Sequence, residues 1–168
     1  IQQGSPRKFI RLLRDVSVED NKGGYARLSP CDHLHIDVTI EFESKVIGTQ
    51  AMDFSLSAMK FRNDICRART FGFLHEVKHL RKNGLAQGGS LDNAIVINGD
   101  AIMNTEGLRY ADEFVRHKIL DCLGDLSLIK ENLLGHYHGH RTGHALTNKL
   151  LRAVFEDPKN YEQFSPGL

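Results

Sequence analysis

Nine consecutive residues, Leu34–Phe42, alternate without a break: Leu34, Ile36, Val38, Ile40 and Phe42 are apolar, while His35, Asp37, Thr39 and Glu41 are polar. A repeat of two places the first set on one face of a pleated strand and the second on the other. The segment therefore reads as a half-buried antiparallel strand, and a second layer must cover its apolar face. Lys8 to Glu19 (KFIRLLRDVSVE) reads as another strand, ending in a hairpin at Asn21-Lys22-Gly23-Gly24, a composition that tolerates positive φ. Tyr25 to Leu28 returns as its partner and Pro30 stops it, and a further short strand is expected over Ala51 to Phe54.

The covering layer comes from segments with a helical period. Ser57 onward predicts a helix with Met59, Ile65 and Cys66 turned inward, and Leu74 to Lys82 predicts a second, closed by Gly84. Ala94 to Ile97 and Ala101 to Met103 flank Asn98-Gly99-Asp100, a hairpin signal. Tyr110 to Leu123 is the clearest helix. Asp112 and Glu113 lie in its first turn, Phe114, Val115, Ile119, Leu120 and Leu123 are its apolar positions, and Gly124 is its expected end. Leu133 to Tyr137 reads as a strand. Thr142 would cap a helix over Ala145 to Phe155, and Asp157-Pro158 opens a last helical turn. The fold class is α+β, with a two-layer, mostly antiparallel sheet, helices packed on one face and a small inserted strand pair. Residues 1–168 form one domain, with the insert near 88–104.

Composition narrows the function. The 168 residues carry 22 Lys+Arg against 21 Asp+Glu, a net charge of +1, so the electrostatic footprint of a nucleic-acid binder is missing. No apolar run approaches the roughly 20 residues that span a bilayer, and no charged-then-apolar leader precedes the first strand. Cys31, Cys66 and Cys122 match neither a disulfide framework nor a zinc knuckle. A cytoplasmic protein in a reducing compartment is expected. A chain opening at Ile1 rather than Met reads as a processed product or a piece of something longer.

Four of nine histidines, His136, His138, His140 and His144, fall within nine positions, shortly after His117. His117 and Asp121 are four apart on the clearest helix, so their Cβ atoms lie about 5–6 Å apart on one face. Both are zinc ligands by type, and a catalytic zinc keeps three protein ligands and one open position. The same spacing describes an ordinary hydrogen-bonded pair on a helix surface. Lys118 could hold a phosphate as a point charge or be a solvated lysine. Asp125 joins the stripe if the helix persists past Gly124, where it could orient a histidine and keep it protonated. His144, beside Gly143 at a helix start, suits oxyanion stabilisation or proton donation to a leaving amine. His136, His138 and His140 would share a strand face, as a metal cluster or as exposed polarity. Arg67 to Phe73 mixes cations and aromatics, as for an anionic or sugar-like ligand or as plain packing plus surface charge.

Four stretches taken together, ARTFGF at 68–73, GGSLDNAIV at 88–96, NTEGLRYADEFVRHKILDCLGDL at 104–126 and TGHALTNKLLRA at 142–153, closely resemble the C-terminal half of the zinc-dependent UDP-3-O-acyl-N-acetylglucosamine deacetylases. These enzymes act in the lipid A synthesis of Gram-negative bacteria. The likeness runs from the first strand to the last long helix.

The resemblance implies hydrolysis of the substrate's acetamide, releasing acetate, with zinc as cofactor and the acylated UDP-sugar as partner. His117 and Asp121 would be two of three metal ligands. His144 would stabilise the oxyanion, Asp125 would pair with it, and Lys118 would contact substrate. Thr70 and Phe71 would line the pocket, and Val77, Ser90, Ala94 and Val96 would form an acyl passage. The third ligand and the general base belong to the family's N-terminal half, to which no residue here corresponds. The chain would thus carry half an active site, inactive until joined to that missing domain. The alternative is a non-catalytic module that binds the acylated UDP-sugar.

Overall fold

The computed structural model describes residues 6–165. Its strands and helices follow in the order β1 (Phe9–Leu12), β2 (Val16–Glu19), β3 (Tyr25–Ser29), β4 (Leu34–Glu41), β5 (Thr49–Ser55), α1 (Ala58–Lys60), β6 (Thr70–Phe73), α2 (Leu74–Lys82), β7 (Ala94–Asn98), β8 (Ala101–Ile102), α3 (Glu113–Leu126), β9 (Asn132–His140), α4 (His144–Glu156) and β10 (Tyr161–Phe164). The class is α+β, with open sheets of seven and three strands.

β9 organises the larger sheet. One of its edges takes β1 in parallel over Asn132–Leu134 and then β3 antiparallel over His136–His140, while β4 runs parallel to it on the other edge. β4 is antiparallel only to β5. The alternation expected for β4 is present, with Ile36, Val38 and Ile40 buried. A period of two reports which faces are wet and says nothing about the direction of a neighbour.

The single strand expected over Lys8–Glu19 is two. β1 lies between β9 and β10, whereas β2 lies outside β3, so the chain steps outward by one strand between them. Within that step the Leu13 amide donates to the Asn160 carbonyl at 2.8 Å. The predicted turn after Pro158 is there, capped by the Asp157 side chain accepting from the Lys159 amide, and it leads into β10.

α3 and α4 cover one face of this sheet. Phe114, Val115, Ile119, Cys122 and Leu126 from α3 and Leu146, Leu150, Leu151 and Val154 from α4 meet Leu28, Ile36, Val38, Phe54 and Tyr137 in one core. Each large apolar side chain so buried contributes about 1.5–3 kcal/mol. α3 starts three residues later than expected and runs through Gly124 to Leu126. Gly124 does not close it, because the apolar stripe continues to Cys122 and Leu126. The first residue before α4 is Gly143, so Thr142 is not its cap.

Ser57 caps α1 by accepting from the Lys60 amide, and α1 then widens into a π turn over Phe61–Ile65. The wide turn changes the phase of the pattern. Ile65 is buried, but Met59 and Cys66 face solvent rather than the core. The inserted strand pair, β7 and β8, is antiparallel around Gly99-Asp100, and β6 adds a third strand parallel to β7, with α2 as the crossover.

Gly139 lies on the core face of β9, where a Cβ would sit 2.8 Å from Tyr137 Cε1 and 3.0 Å from Thr142 Oγ1. Tyr137 is fully buried and its hydroxyl lies 3.0 Å from Thr147 Oγ1. Gly139→Ala should therefore destabilise the chain by about 1–3 kcal/mol, the usual effect of overpacking, measured by denaturant unfolding. An unchanged midpoint would show that the ring can move aside.

Candidate active site

α3 places His117, Asp121 and Asp125 at successive four-residue steps along one stripe, with Lys118 beside them. His117 Nε2 lies 3.2 Å from Asp121 Oδ1, and Lys118 Nζ donates to Asp121 Oδ2 at 3.0 Å. The other ring nitrogen of His117, Nδ1, lies 3.4 Å from the Ala68 carbonyl. A proton held there on Nδ1 would free Nε2 to ligate a metal in place of its contact with Asp121, the usual arrangement behind a metal-bound histidine. Burial pushes the Asp121 carboxyl up, but the His117 hydrogen bond and the nearby charges outweigh it and leave the group below the ordinary carboxylate range. Cys122, next in sequence, is buried among apolar neighbours, which pushes its thiol up to about 12.

His144 opens α4, and its Nδ1 lies 2.8 and 3.0 Å from the two oxygens of Asp125. The histidine side chain is 70% exposed and the carboxylate 16%. A largely buried acid thus holds the near end of an imidazole whose far end is free. β6 brings Thr70 and Phe71 alongside, with the Phe71 ring centroid 6.2 Å from that of His117 and 5.7 Å from Lys118 Nζ.

These side chains border a cavity of about 300 Å³, lined by Thr70, Phe71, His117, Lys118, Asp121 and His144 together with Phe42, Phe73 and Glu76. A second cavity of about 500 Å³ shares the wall formed by Thr70, Phe71, Gly72 and Glu76 and extends past Val77, Leu80, Ser90, Ala94, Val96 and Met103. The structure therefore brings Thr70, Phe71, Val77, Ser90, Ala94, Val96, His117, Lys118, Asp121 and His144 around two adjoining spaces, with Asp125 just behind, reached through His144. Phe42, Phe73 and Glu76 were not foreseen. Phe42 completes the alternating strand and gave no separate signal. Glu76 does have one, three residues after the residue preceding α2, where its carboxylate accepts from the Phe73 amide at 3.4 Å.

Of the two readings of Arg67–Phe73, ligand contact or packing, Arg69 follows the second. Its side chain is turned into the protein and 3% of the residue is exposed. Glu113, fully buried, accepts from the Arg69 backbone amide at 3.0 Å, from Nε at 2.9 Å and from Nη2 at 3.1 Å, and also from the Arg109 amide at 2.6 Å. Arg69 further bonds Glu106 and the Gly107 carbonyl. Arg69 directly precedes β6, and Glu113 is one turn before His117. The pair therefore fixes the Thr70–Phe71 strand against the His117–Asp121 helix.

His136, His138 and His140 stand on the outer face of the sheet, away from both cavities. His136 and His138 face Asp37 at 3.8 and 3.7 Å, and His140 faces Glu41 at 3.7 Å. Among the described residues, no third His, Cys, Asp or Glu lies close enough to His117 and Asp121 to form a three-ligand set. The two that are present fit zinc. Bonds of about 2.0–2.2 Å at a tetrahedral angle set a nitrogen–oxygen separation of about 3.3–3.6 Å, and the observed 3.2 Å lies just short of that range.

The family model described as LpxC, UDP-3-O-acyl N-acetylglycosamine deacetylase, matches residues 1–156. The chain belongs to this family. The UDP-3-O-acyl-N-acetylglucosamine deacetylases of a Psychrobacter species and a Nitratiruptor species are 46% and 49% identical to it over 163 and 162 residues, 96% of this chain and 54% of each relative. The Myxococcus xanthus deacetylase is 47% identical over 161 residues, 51% of its own length. The chain thus spans about half the length of the deacetylases it matches.

Removing one partner of a buried ion pair costs about 3–5 kcal/mol, so Glu113→Gln should destabilise this deacetylase-family chain by that order at neutral pH. Burial raises the Glu113 carboxyl, but Arg69 more than offsets this and holds it below its ordinary value of 4.5. Its stabilisation is then complete above about pH 4.5 and is lost as pH falls through the depressed folded value. Unfolding free energies measured from pH 7 to pH 3 should fall more steeply for the wild type than for Glu113→Gln. Parallel curves would contradict the assignment.

Proposed function

We propose that this chain supplies the C-terminal half of a zinc-dependent UDP-3-O-acyl-N-acetylglucosamine deacetylase of lipid A synthesis. The observation that carries the reading is the His117–Asp121 pair at zinc-ligand separation in a cavity whose wall also holds His144, with an apolar space adjoining it. A cytoplasmic biosynthetic enzyme is the reading the deacetylase relatives support; among the described residues no helix is long and apolar enough to cross a membrane.

His117 Nε2 and one oxygen of Asp121 would hold the metal. A bound zinc would polarise the acetamide carbonyl and lower the pKa of the attacking water. Lys118 neutralises the second oxygen of Asp121 and presents a cation to the substrate at the cavity edge. Asp125, hydrogen-bonded to Nδ1 of His144, orients the ring and leaves its other nitrogen facing outward. His144 can then stabilise negative charge on the substrate oxygen and pass a proton from its exposed end to the departing amine. Thr70 and Phe71 position the sugar, and the space bounded by Val77, Ser90, Ala94 and Val96 takes the acyl chain, whose burial rewards apolar area. The third ligand and the general base would come from the missing N-terminal domain, which accounts for a metal site that stops at His117 and Asp121.

Acetate release from the acylated UDP-sugar tests this reading. The chain alone should give none, and the chain joined to the N-terminal half of one of the relatives should give zinc-dependent turnover. In the joined protein, His117→Ala should abolish turnover, and His144→Ala should lower kcat by about 10²–10³, as for loss of one oxyanion-stabilising donor. Turnover by the isolated chain would overturn the half-site assignment. Saturable substrate binding by a joined protein that never releases acetate would favour the non-catalytic module.

A further inference from the structure

The connection between β3 and β4 gathers three unlike donors that the catalytic reading does not use. Cys31 Sγ lies 3.6 Å from His33 Nδ1 and 3.8 Å from Asp32 Oδ1, and those two atoms are 2.6 Å apart. Among the described residues this is the one set of three His, Cys, Asp or Glu donors compact enough to surround a single ion. The chain bends at Asp32–His33, which brings onto one side three consecutive side chains that a straight strand would alternate.

Two of the three separations are those of a tetrahedral metal. A zinc–sulfur bond of about 2.3 Å and zinc–nitrogen or zinc–oxygen bonds near 2.1 Å set sulfur-to-nitrogen and sulfur-to-oxygen distances of about 3.6 Å. The observed 3.6 and 3.8 Å already lie there. Only the His33–Asp32 contact is short, as a hydrogen bond of 2.6 Å, and it would open by about 0.8 Å toward the roughly 3.4 Å that two such ligands require.

The backbone holding these donors is anchored. The Gly135 amide of β9 donates to the His33 carbonyl at 3.2 Å. The His33 ring meets His35 edge-on at 5.8 Å, and His35 is fixed by Ser55 Oγ at 2.9 Å and Asp53 Oδ2 at 2.7 Å. Pro30 restricts the entry to the bend. Asp32 and His33 are exposed and Cys31 partly so, which leaves an entry path and a fourth position for water. None of the three lines the cavities beside His117.

The geometry points to a second metal site in this chain, formed by Cys31, Asp32 and His33 and selective for a borderline-soft divalent cation such as zinc or cobalt. Thiolate and imidazole favour such ions over magnesium or calcium. The thiol must lose its proton on binding, so loading releases at least one proton per ion.

The thiolate gives this site a signature that the His117–Asp121 pair lacks. Cobalt(II) titrated into the reduced chain should produce a sulfur-to-cobalt charge-transfer absorption saturating at one equivalent, and zinc should remove it. The band should persist in His117→Ala/Asp121→Ala and in Cys66→Ser, disappear in Cys31→Ser, and require at least about tenfold more cobalt in His33→Ala, with thermal unfolding showing that each variant is folded. No thiolate band in the wild type, or a band that survives Cys31→Ser, would overturn the proposal. Because the double variant lacks both catalytic ligands, the result stands apart from the deacetylase reading.

Discussion

The ion pair between Arg69 and Glu113 is the contact on which the arrangement of the cavity depends. Two elements far apart in sequence must meet there: a short edge strand carrying Thr70 and Phe71, and a helix carrying His117, Lys118, Asp121 and Asp125. Apolar packing of Phe71 on Phe114, with ring centroids 5.0 Å apart, draws them together but allows sliding. A guanidinium and a carboxylate joined through two side-chain nitrogens and the Arg69 backbone amide do not. A buried pair of this kind is weak evidence of net stability, because desolvation opposes the attraction. Its contribution here is alignment, since it sets both the distance and the register of strand against helix.

The cavity assembled this way has a clear internal division. The His117–Asp121 pair is fixed by Ala68 and Lys118 and lies partly buried, whereas His144 stands open to solvent and is held only at its Asp125 end. On the proposed reading, a partly buried pair beside an exposed histidine suits a surface that another domain completes. The sheet's opposite face is chemically different, with His136, His138 and His140 opposite Asp37 and Glu41 and with the Cys31–His33 bend at one end of β4.

Much of this was legible in the residues. The alternation of Leu34–Phe42 marks its wet and dry faces because a half-buried strand has no other way to satisfy both, and the spacing of His117 and Asp121 puts them on one helical face whatever surrounds them. Long-range pairing was not legible. Nothing local in Lys8–Glu19 reveals that β1 and β2 take different neighbours, that β9 runs parallel to β4, or that Tyr161–Phe164 returns to pair with β1. Gly124 looked like a helix end because glycine is a poor helix former, yet the tertiary contacts of Cys122 and Leu126 carry α3 past it and bring Asp125 onto the stripe. Arg69 read as one cation of a ligand-facing or surface run and Glu113 as a first-turn helix charge for the same reason: burial of an ion pair depends on a partner 44 residues away.

A double-mutant cycle on Arg69→Met and Glu113→Gln, with denaturant unfolding of all four proteins, tests the alignment most directly. If one interaction joins strand to helix, the double variant should lose less than the sum of the two single losses, with a coupling of about 1–3 kcal/mol. Additive losses would contradict this account and would mean that strand and helix are each held in place by their apolar neighbours alone.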